Sequence, residues 1–463
     1  MSDQNLKSTL FQDLVDLLQN RDFPGLKLFL EEVPPADSAE AFELLPEEEQ
    51  ALLFRLLPTG MAAEVFEYMP VENQERLVHA MGGVELAAIL NAMSADDRTA
   101  LFEELPTPVS ARLVAMLSPE KRATALDLLN YPEDSVGRLM TSEYVKVRDP
   151  WSARRVLDHI RAHGRNSETL NIVYAVDDHD RLLGDIRIRE FLLCPLDETV
   201  GELRNEVIVC LHAMDHKESA VEAFRKYDRT ALPVVDKFGG LVGIVTVDDV
   251  LDVAEERATE DMQKIGGMEH LDEPYMEISL GMLVKKRATW LVVLFLGEML
   301  TATAMAGYQD EIAKAVVLSI FVPLIISSGG NSGSQAATLI IRAMALGEVG
   351  LGDWWKVMRR EILSGLALGI ILAIFGFLRI SVWTAIWHPY GEHWILIAAT
   401  VSFSLIGVVL WGTLSGSMLP FLLKRVGLDP ATSSAPFVAT LVDVTGLLIY
   451  FAVAGAILKG AML

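Results

Sequence analysis

Hydrophobic and polar residues follow three different patterns along the chain, and each pattern predicts a different kind of structure. In residues 1–138, apolar residues recur at helical spacing within short units. In residues 139–261, short apolar runs alternate with amphipathic stretches, as in strands followed by helices. After residue 280, the apolar segments reach the roughly 20 residues that a helix needs to cross a bilayer. The predicted fold is a multidomain membrane protein with an α-helical domain, an α/β domain and an all-α transmembrane domain.

The N-terminal pattern is a repeat with a period of twelve residues. Each unit starts with a residue that favours a turn, a helix cap or a helix start, and an apolar residue stands directly before it. These positions are Pro34, Pro46, Pro58, Pro70, Gly82, Ser94, Pro106, Ser118 and Asn130. One short helix cannot bury its apolar face alone, whereas stacked units can. We therefore predict an α-helical superhelix over residues 1–138, for which a structural scaffold is the simplest role.

The α/β pattern occurs twice, with an offset of fifty-nine residues. Two apolar strands separated by a turn lie at 174–186 in the first copy and at 233–245 in the second. This duplication resembles a tandem pair of CBS (cystathionine-β-synthase-type) domains, which we place at 139–200 and 201–261. The resemblance implies that the pair senses nucleotides or ions.

A nucleotide signature of CBS domains, a Thr or Ser with an Asp three residues later, is matched by Thr246 and Asp249 in the second copy. The first copy has Arg187 and Glu190 at these positions, so at most one adenosine site is expected. A Thr three residues before an Asp also caps helices. From the sequence alone, the cap and the nucleotide site carry equal weight.

An acidic segment joins the soluble part to the membrane part, and we predict a connecting helix at residues 248–275. Acidic residues at positions 249, 252, 256 and 260 share one face of such a helix. Like charges at this spacing destabilise a helix unless something neutralises them. A solvated face is the simpler interpretation. The functional one is a loose Mg²⁺ site between facing acidic surfaces, because Mg²⁺ binds carboxylates while keeping several waters.

Five membrane-spanning helices are predicted within a transmembrane domain at residues 280–463. They lie at about 288–308, 315–341, 362–380, 394–423 and 431–458. A short helix lying at the membrane interface is expected around 354–360. Lys and Arg cluster at 285–287, 342–360 and 424–425, so the positive-inside rule places the N-terminus in the cytoplasm and the C-terminus outside. The polar first residues predict no signal peptide.

The charge composition restricts the partners. The chain has 463 residues and a formal net charge of −24, and its acidic residues concentrate in the soluble part. Nucleic-acid binding requires a basic surface, so nucleic acid is not an expected partner, whereas cations are suitable ones. Cys194 and Cys210 form no disulfide framework. No P-loop, nucleophile motif or histidine cluster indicates an enzyme.

Asp443 is the only charged residue between positions 431 and 458. A carboxylate at mid-span costs roughly 2.5–3.5 kcal/mol, so Asp443 is expected to face a water-filled path. The alternative is an Asp hydrogen-bonded between helices. The second span contains the segment 327–335 (SSGGNSGSQ), whose small and polar residues suit either a hydrated path or a tight packing seam.

The segments 329–335, Asp429-Pro430 and 436–446, together with the order of the domains, resemble the MgtE family of bacterial magnesium channels. The resemblance covers essentially the whole chain. It implies a homodimer in the bacterial inner membrane, with a Mg²⁺ pore at the subunit interface. The pore residues implied by position are Asp443 and the carbonyl of Ala439 as Mg²⁺ ligands and Gly330, Asn331 and Thr440 as lining.

The resemblance also implies a gate that cytosolic Mg²⁺ operates for magnesium homeostasis. Ions bridge the acidic faces of the N-terminal domain, the CBS pair and the connecting helix, which acts as a plug, and the pore stays closed until Mg²⁺ falls. The regulatory ligands implied by position are Asp249, Asp252, Glu260, Asp261, Glu218 and Asp228, with Asp96 or Asp97 from the N-terminal domain. ATP is the nucleotide implied at Thr246 and Asp249.

Two other functions use the same residues. A coupled carrier for a cation or a small solute would employ Glu298 and Asp443 as coupling carboxylates and the CBS pair as a nucleotide sensor. The five predicted spans show no internal repeat of the kind that carriers often have. A membrane-anchored Mg²⁺ sensor without transport would not need the polar second span.

Overall fold

The chain forms two units, Met1–Ala254 and Glu255–Leu463. They are seen in a computed structural model that describes residues 3–205, 207–271, 275–276, 278–387 and 390–459. The first unit contains the helical repeats and the two α/β copies. The second contains the end of the acidic helix and the membrane helices, and each unit has its own hydrophobic core.

Ten helices form the repeat region within the described residues. They are α1 (Asp3–Gln19), α2 (Phe23–Glu32), α3 (Pro35–Glu43), α4 (Glu47–Leu56), α5 (Thr59–Glu67), α6 (Val71–Ala80), α7 (Gly83–Ala92), α8 (Ala95–Glu104), α9 (Thr107–Met116) and α10 (Pro119–Leu129). A proline stands directly before five of them, at positions 34, 46, 58, 70 and 106. The first N–H groups of a helix have no partner within the helix, and proline suits this place because it has no N–H. The predicted twelve-residue period is confirmed.

Phe42, Phe54 and Phe66 show how the repeat builds its core. They stand twelve residues apart on α3, α4 and α5, and successive rings meet edge to face with centroids 5.6 Å and 6.0 Å apart. All three side chains are buried. Aromatic pairs of this geometry contribute about 0.5–1.5 kcal/mol beyond the burial of their area. Each unit is therefore stabilised by its neighbour.

The two α/β copies have the same topology. Their elements are α11 (Val136–Leu139), β1 (Lys146–Arg148), α12 (Ala153–His163), β2 (Ile172–Val176), β3 (Leu182–Arg187), α13 (Ile188–Leu193), α14 (Val200–Leu203), β4 (Leu211–His212), α15 (Glu218–Tyr227), β5 (Ala231–Val235) and β6 (Leu241–Thr246). In each sheet the first strand is parallel to the second, which pairs antiparallel with the third. Asp180 and Gly239, in the corresponding turns, both adopt positive φ angles of 58° and 81°. The predicted duplication is confirmed.

The acidic helix α16 spans Val247–Ile265 and is shorter than the predicted segment 248–275. It ends because Gly266 and Gly267 follow, and Gly267 has a φ angle of 74°, which glycine adopts without strain. Residues 272–274 of the predicted segment lie outside the described residues.

Among the described residues, five helices are long and apolar enough to cross a membrane, as predicted. They are α17 (Leu280–Gly307), α19 (Val322–Ala345), α20 (Trp354–Trp387), α21 (Trp394–Arg425) and α22 (Ala435–Leu458), and the short helix α18 (Gln309–Lys314) follows α17. Residues 354–360, predicted to lie flat at the interface, are the first turns of the 34-residue helix α20. No proline or glycine separates them from the apolar part of α20, so the helix continues unbroken.

Glycines of the second span form the packing seam that the sequence left as an alternative. A Cβ atom on Gly412 would overlap the carbonyl oxygen of Gly329, and one on Gly416 would overlap that of Gly333. The backbones of α19 and α21 are therefore in direct contact, as small residues permit in membrane proteins. The neighbouring Gly330 faces α22 instead, where a Cβ would lie 3.5 Å from that of Ala439.

Candidate cation sites

An acidic cleft of about 440 Å³ lies in the first unit. Eight carboxylates line it: Glu64, Glu67, Asp96, Asp97, Glu168, Asp248, Asp249 and Asp252. They come from α5 and α8 of the repeat region, from the loop before β2 and from the start of α16. Asp96 and Asp97 lie in the first turn of α8, and Asp248 and Asp249 lie in the first turn of α16. The helix dipole favours negative charge at both places.

Burial and repulsion by neighbouring carboxylates raise the pKa values of five cleft residues, which are Glu67, Asp96, Asp97, Glu168 and Asp249. Burial, followed by the charge of Asp97, raises the pKa of Glu67 to about 7. Burial also raises the pKa of Asp249 to about 7, against the effect of a hydrogen bond from Thr246. The pKa of Asp96 lies well above its usual value because the side chain is buried beside Asp249. The cleft therefore holds either protons or repelling charges unless a cation neutralises it.

The cleft suits a hydrated cation. Within the described residues, no three acidic, histidine or cysteine side chains converge as a ready-made set of direct metal ligands. Mg²⁺ sheds its waters reluctantly and usually keeps several of them when it binds to carboxylates. A carboxylate-lined space of this size matches a Mg²⁺ ion with its water shell.

The cleft brings together four of the residues selected from the sequence, Asp96, Asp97, Asp249 and Asp252. Sequence reasoning missed the other carboxylates, because they lie on elements far apart in the chain. The available signal was weak: Asp248 adjoins Asp249, and the first turn of α16 is therefore doubly acidic.

Thr246 and Asp249 form a helix cap at the start of α16. The Thr246 hydroxyl donates a hydrogen bond to Oδ2 of Asp249 at 2.5 Å, and the Thr246 backbone N–H donates to the same oxygen at 3.3 Å. An acidic side chain three residues into a helix commonly accepts such a bond from the residue before the helix. The capping interpretation is confirmed, while nucleotide binding at these two residues stays a prediction.

A second cleft, of about 300 Å³, lies within the CBS pair and is rich in arginine. Arg187, Arg189 and Arg229 line it together with Asp228. Asp228 ends α15 with a left-handed φ angle of 53°, and Glu218 lies in the first turn of the same helix. The structure places both predicted regulatory ligands away from the lining of the acidic cleft, so their role remains a prediction.

In the second unit, Lys264 connects the end of α16 to the loop before α22. Its ammonium group lies 2.6 Å from Glu260 Oε1 and 2.7 Å from Asp429 Oδ2. The other Asp429 oxygen accepts a hydrogen bond from the backbone N–H of Ala431. Burial and the charge of Asp429 raise the pKa of Asp261. The predicted ligands Glu260 and Asp261 thus lie in one ionic cluster with Asp429, which sequence reasoning noted only as part of a motif.

The predicted pore residues lie together on α19 and α22. A Cβ on Gly330 would lie 3.8 Å from Oδ1 of Asp443 and 3.6 Å from the Cα of Ala439. Asn331 is exposed beside Gly330, and Thr440 is half-buried one turn before Asp443. Gly330 therefore lets the backbone of α19 lie close to the Asp443 carboxylate and to Ala439. The exposed Asn331 and the partly exposed Asp443 carboxylate are polar groups at membrane depth that suit contact with water or a hydrated ion.

Family models match three segments of the chain. The family model of the MgtE divalent cation transporters matches residues 322–453, that of the MgtE intracellular N domain matches 33–134, and that of the CBS domain matches 200–256. The magnesium transporter MgtE of Thermus thermophilus is 38% identical over 98% of this chain and 100% of its own length. The chain belongs to the MgtE family. The magnesium transporter MgtE of Bacillus subtilis is 26% identical over 96% of both chains.

Two solved structures of magnesium transport proteins resemble the soluble part. The cytosolic domain of the Mg²⁺ channel MgtE in complex with ATP is 34% identical, with a TM-score of 0.51 over 52% of this chain and 99% of that one. The soluble part of a magnesium transporter is 26% identical, with a TM-score of 0.52 over 54% of this chain and 99% of that one. The predicted superhelix and CBS pair are confirmed, and this MgtE-family chain is a multi-pass membrane transporter rather than an enzyme.

Proposed function

We propose that this protein is a Mg²⁺-selective channel of the bacterial inner membrane, which acts as a homodimer and closes when cytosolic Mg²⁺ is plentiful. The observation that carries the proposal is the position of Asp443, a partly exposed carboxylate that lies beside Gly330 and Asn331 of α19 among apolar membrane helices. The relatives named as magnesium transporters support Mg²⁺ as the ion. A dication that keeps its waters requires few carboxylates together with hydrogen-bonding groups, as Asp443 and Asn331 supply.

The gate in this proposal is the acidic cleft. Without Mg²⁺ its carboxylates repel one another, and the repulsion separates the helical repeats from the start of α16. Hydrated Mg²⁺ bridges Asp97, Asp248 and their neighbours and keeps the cleft closed. In the chain, fourteen residues separate the end of α16 from the first membrane span, which begins at Leu280. Movement of α16 is therefore positioned to act on the pore.

The test of the function is Mg²⁺ influx into liposomes that contain the purified full-length protein and no gradient of any other ion. A channel conducts Mg²⁺ down its own gradient, and influx should stop when Mg²⁺ is raised on the side of the soluble domains. Influx that requires a second ion gradient would support the coupled carrier, which the proximity of Glu298 to Asp443 favours. Absence of influx under every condition would contradict both.

Mg²⁺ is expected to raise the thermal unfolding midpoint of the protein, most strongly above pH 7. In the folded protein, the pKa values of Glu67 and Asp249 are raised to about 7. Without Mg²⁺, the free energy of unfolding therefore falls as the pH rises from the ordinary carboxyl pKa to about 7, because the folded state binds more protons than the unfolded state over this range. At pH 8 a Mg²⁺ concentration ten times the Kd should add about 1.4 kcal/mol, or roughly 1.5–3 °C for a protein of this size. At pH 5.5 protons compete with Mg²⁺, so the shift should be smaller.

A pair of double variants assigns this effect to the cleft. Asp97→Asn with Asp248→Asn removes two cleft carboxylates and should reduce the Mg²⁺-induced shift at pH 8 by at least about half. Glu47→Gln with Glu48→Gln makes the same charge change on the exposed first turn of α4 and should leave the shift unchanged. Equal shifts in the two double variants would show that Mg²⁺ stabilises the protein elsewhere.

ATP, which is bound in the solved cytosolic domain of a relative, is proposed to bind in the arginine-rich cleft of this chain. Guanidinium groups pair well with phosphates, whereas Asp249 lines a cleft whose carboxylates would repel them. Arg187→Gln with Arg189→Gln should weaken ATP binding, measured by titration calorimetry, by at least about tenfold. Thr246→Val should change the affinity for ATP by less than about twofold. If Thr246→Val weakened ATP binding more than the double arginine variant does, the nucleotide would instead bind at Thr246.

A further inference from the structure

Glu298 is the only charged residue in the apolar stretch 288–308, and it lies ten residues from either end. Its side chain is exposed in the single chain, and α17 has no buried residue at all. A carboxylate that faces lipid at mid-span costs roughly 2.5–3.5 kcal/mol. In the membrane, Glu298 must therefore face protein or water.

Helix α17 is held against α22 at the level of Glu298. A Cβ on Gly297 would lie 2.6 Å from Cγ2 of Thr440, so the two helices approach closely at this point. The carboxyl groups of Glu298 and Asp443 are adjacent and interact directly. Because Gly330 of α19 lies on another side of Asp443, three helices meet around this one carboxylate.

Exposed polar side chains lie on α17 and α19, the two helices that contact α22 near Asp443. They are Glu298 on α17 and Asn331 and Gln335 on α19. Polar groups at membrane depth require protein or water as partners. These side chains therefore suit an aqueous path or a protein neighbour rather than lipid.

We infer that Glu298 is a second acidic residue of the conduction site, and that it faces hydrated Mg²⁺ together with Asp443 where a second copy of the chain covers these polar side chains. The inference rests on the proposed function. Because Mg²⁺ keeps its waters, Glu298 acts on the ion through the water shell. Its attraction is twice as large for a dication as for a monovalent ion at the same distance. Glu298 therefore sets the Mg²⁺ concentration at which the site fills.

Mg²⁺ influx into liposomes with the full-length protein, measured over a series of external Mg²⁺ concentrations, tests this role. Glu298→Gln removes the charge at nearly constant size, and the half-saturating Mg²⁺ concentration should rise about tenfold while the maximal rate stays within about twofold. Glu298→Asp retains the charge and should restore a value near that of the wild type. Asp310→Asn, on the short helix α18, is the matched control and should behave as the wild type.

Each contrary outcome has a distinct meaning. An unchanged half-saturating concentration in Glu298→Gln would overturn the inference and leave the proposed function in place. Loss of influx in both Glu298 variants, with thermal unfolding unchanged, would overturn the inference as well. Glu298 would then be indispensable for conduction, whereas the inference assigns it only an effect on the affinity for Mg²⁺. No influx through the wild type would overturn the proposed function, and the inference with it.

Discussion

Asp443→Ala is expected to reduce Mg²⁺ influx into liposomes by at least about 100-fold at a Mg²⁺ concentration that half-saturates the wild type. Asp443 is the only charged residue of α22, and its carboxylate lies beside Gly330 of α19. Removal of its carboxylate leaves no charge from α22 to attract the dication into the apolar bundle. The expected effect is larger than that of Glu298→Gln, because Asp443 lies where α17, α19 and α22 meet.

The same substitution should not destabilise the protein. A carboxylate in an apolar segment opposes insertion by roughly 2.5–3.5 kcal/mol, so its removal relieves a cost rather than adding one. Thermal unfolding in detergent should therefore show a midpoint for Asp443→Ala equal to or above that of the wild type. Asp443→Asn keeps the shape of the side chain and should lose influx to a similar extent, which separates charge from size.

The prediction for Asp443 is contradicted if influx persists in both variants with normal Mg²⁺ dependence. The conduction path would then avoid α22, and the alternative of an Asp held between helices without ion traffic would gain support. Loss of influx together with a lowered unfolding midpoint would instead indicate a structural role for the carboxylate.

Gly416→Ala is expected to destabilise the membrane domain by about 1–3 kcal/mol, the usual range for overpacking. An added Cβ at Gly416 would overlap the carbonyl oxygen of Gly333, and backbone atoms cannot move aside as the end of a long side chain can. Helices α19 and α21 must therefore separate along the seam that also contains Gly412 and Gly329. Because α19 carries Gly330, the surroundings of Asp443 should change as well, so influx should fall together with stability.

Gly455→Ala supplies the matched control on α22. No atom outside the local helix backbone lies within 4 Å of a Cβ built at this position. Alanine is favoured over glycine inside a helix by about 0.8–1.0 kcal/mol, so this variant should be neutral or slightly more stable. Thermal unfolding of the two purified variants in one detergent compares them directly. Equal midpoints would show that the α19–α21 seam tolerates an added methyl group.

Periodicity along the chain was sufficient to predict the architecture. The twelve-residue repeat, the duplication at fifty-nine residues and the five apolar segments are local patterns, and they appear in the structure as ten short helices, two matching sheets and five long helices within the described residues. Local patterns succeed because helix caps, strand alternation and burial of an apolar face depend on neighbouring residues. Asp443 could also be selected as a candidate from the sequence, because a lone charge in an apolar span is visible there.

The contacts between side chains that are distant in the sequence depend on the tertiary fold. The acidic cleft unites Glu67, Asp97, Glu168 and Asp248 from four separate elements, and no spacing rule connects positions so far apart. Lys264 meets Asp429 across 165 positions for the same reason. The role of each glycine in the second span also depended on packing. Glycine has no side chain that marks its partner in the sequence, so contact of Gly329 with α21 and of Gly330 with α22 follows only from the way the helices pack.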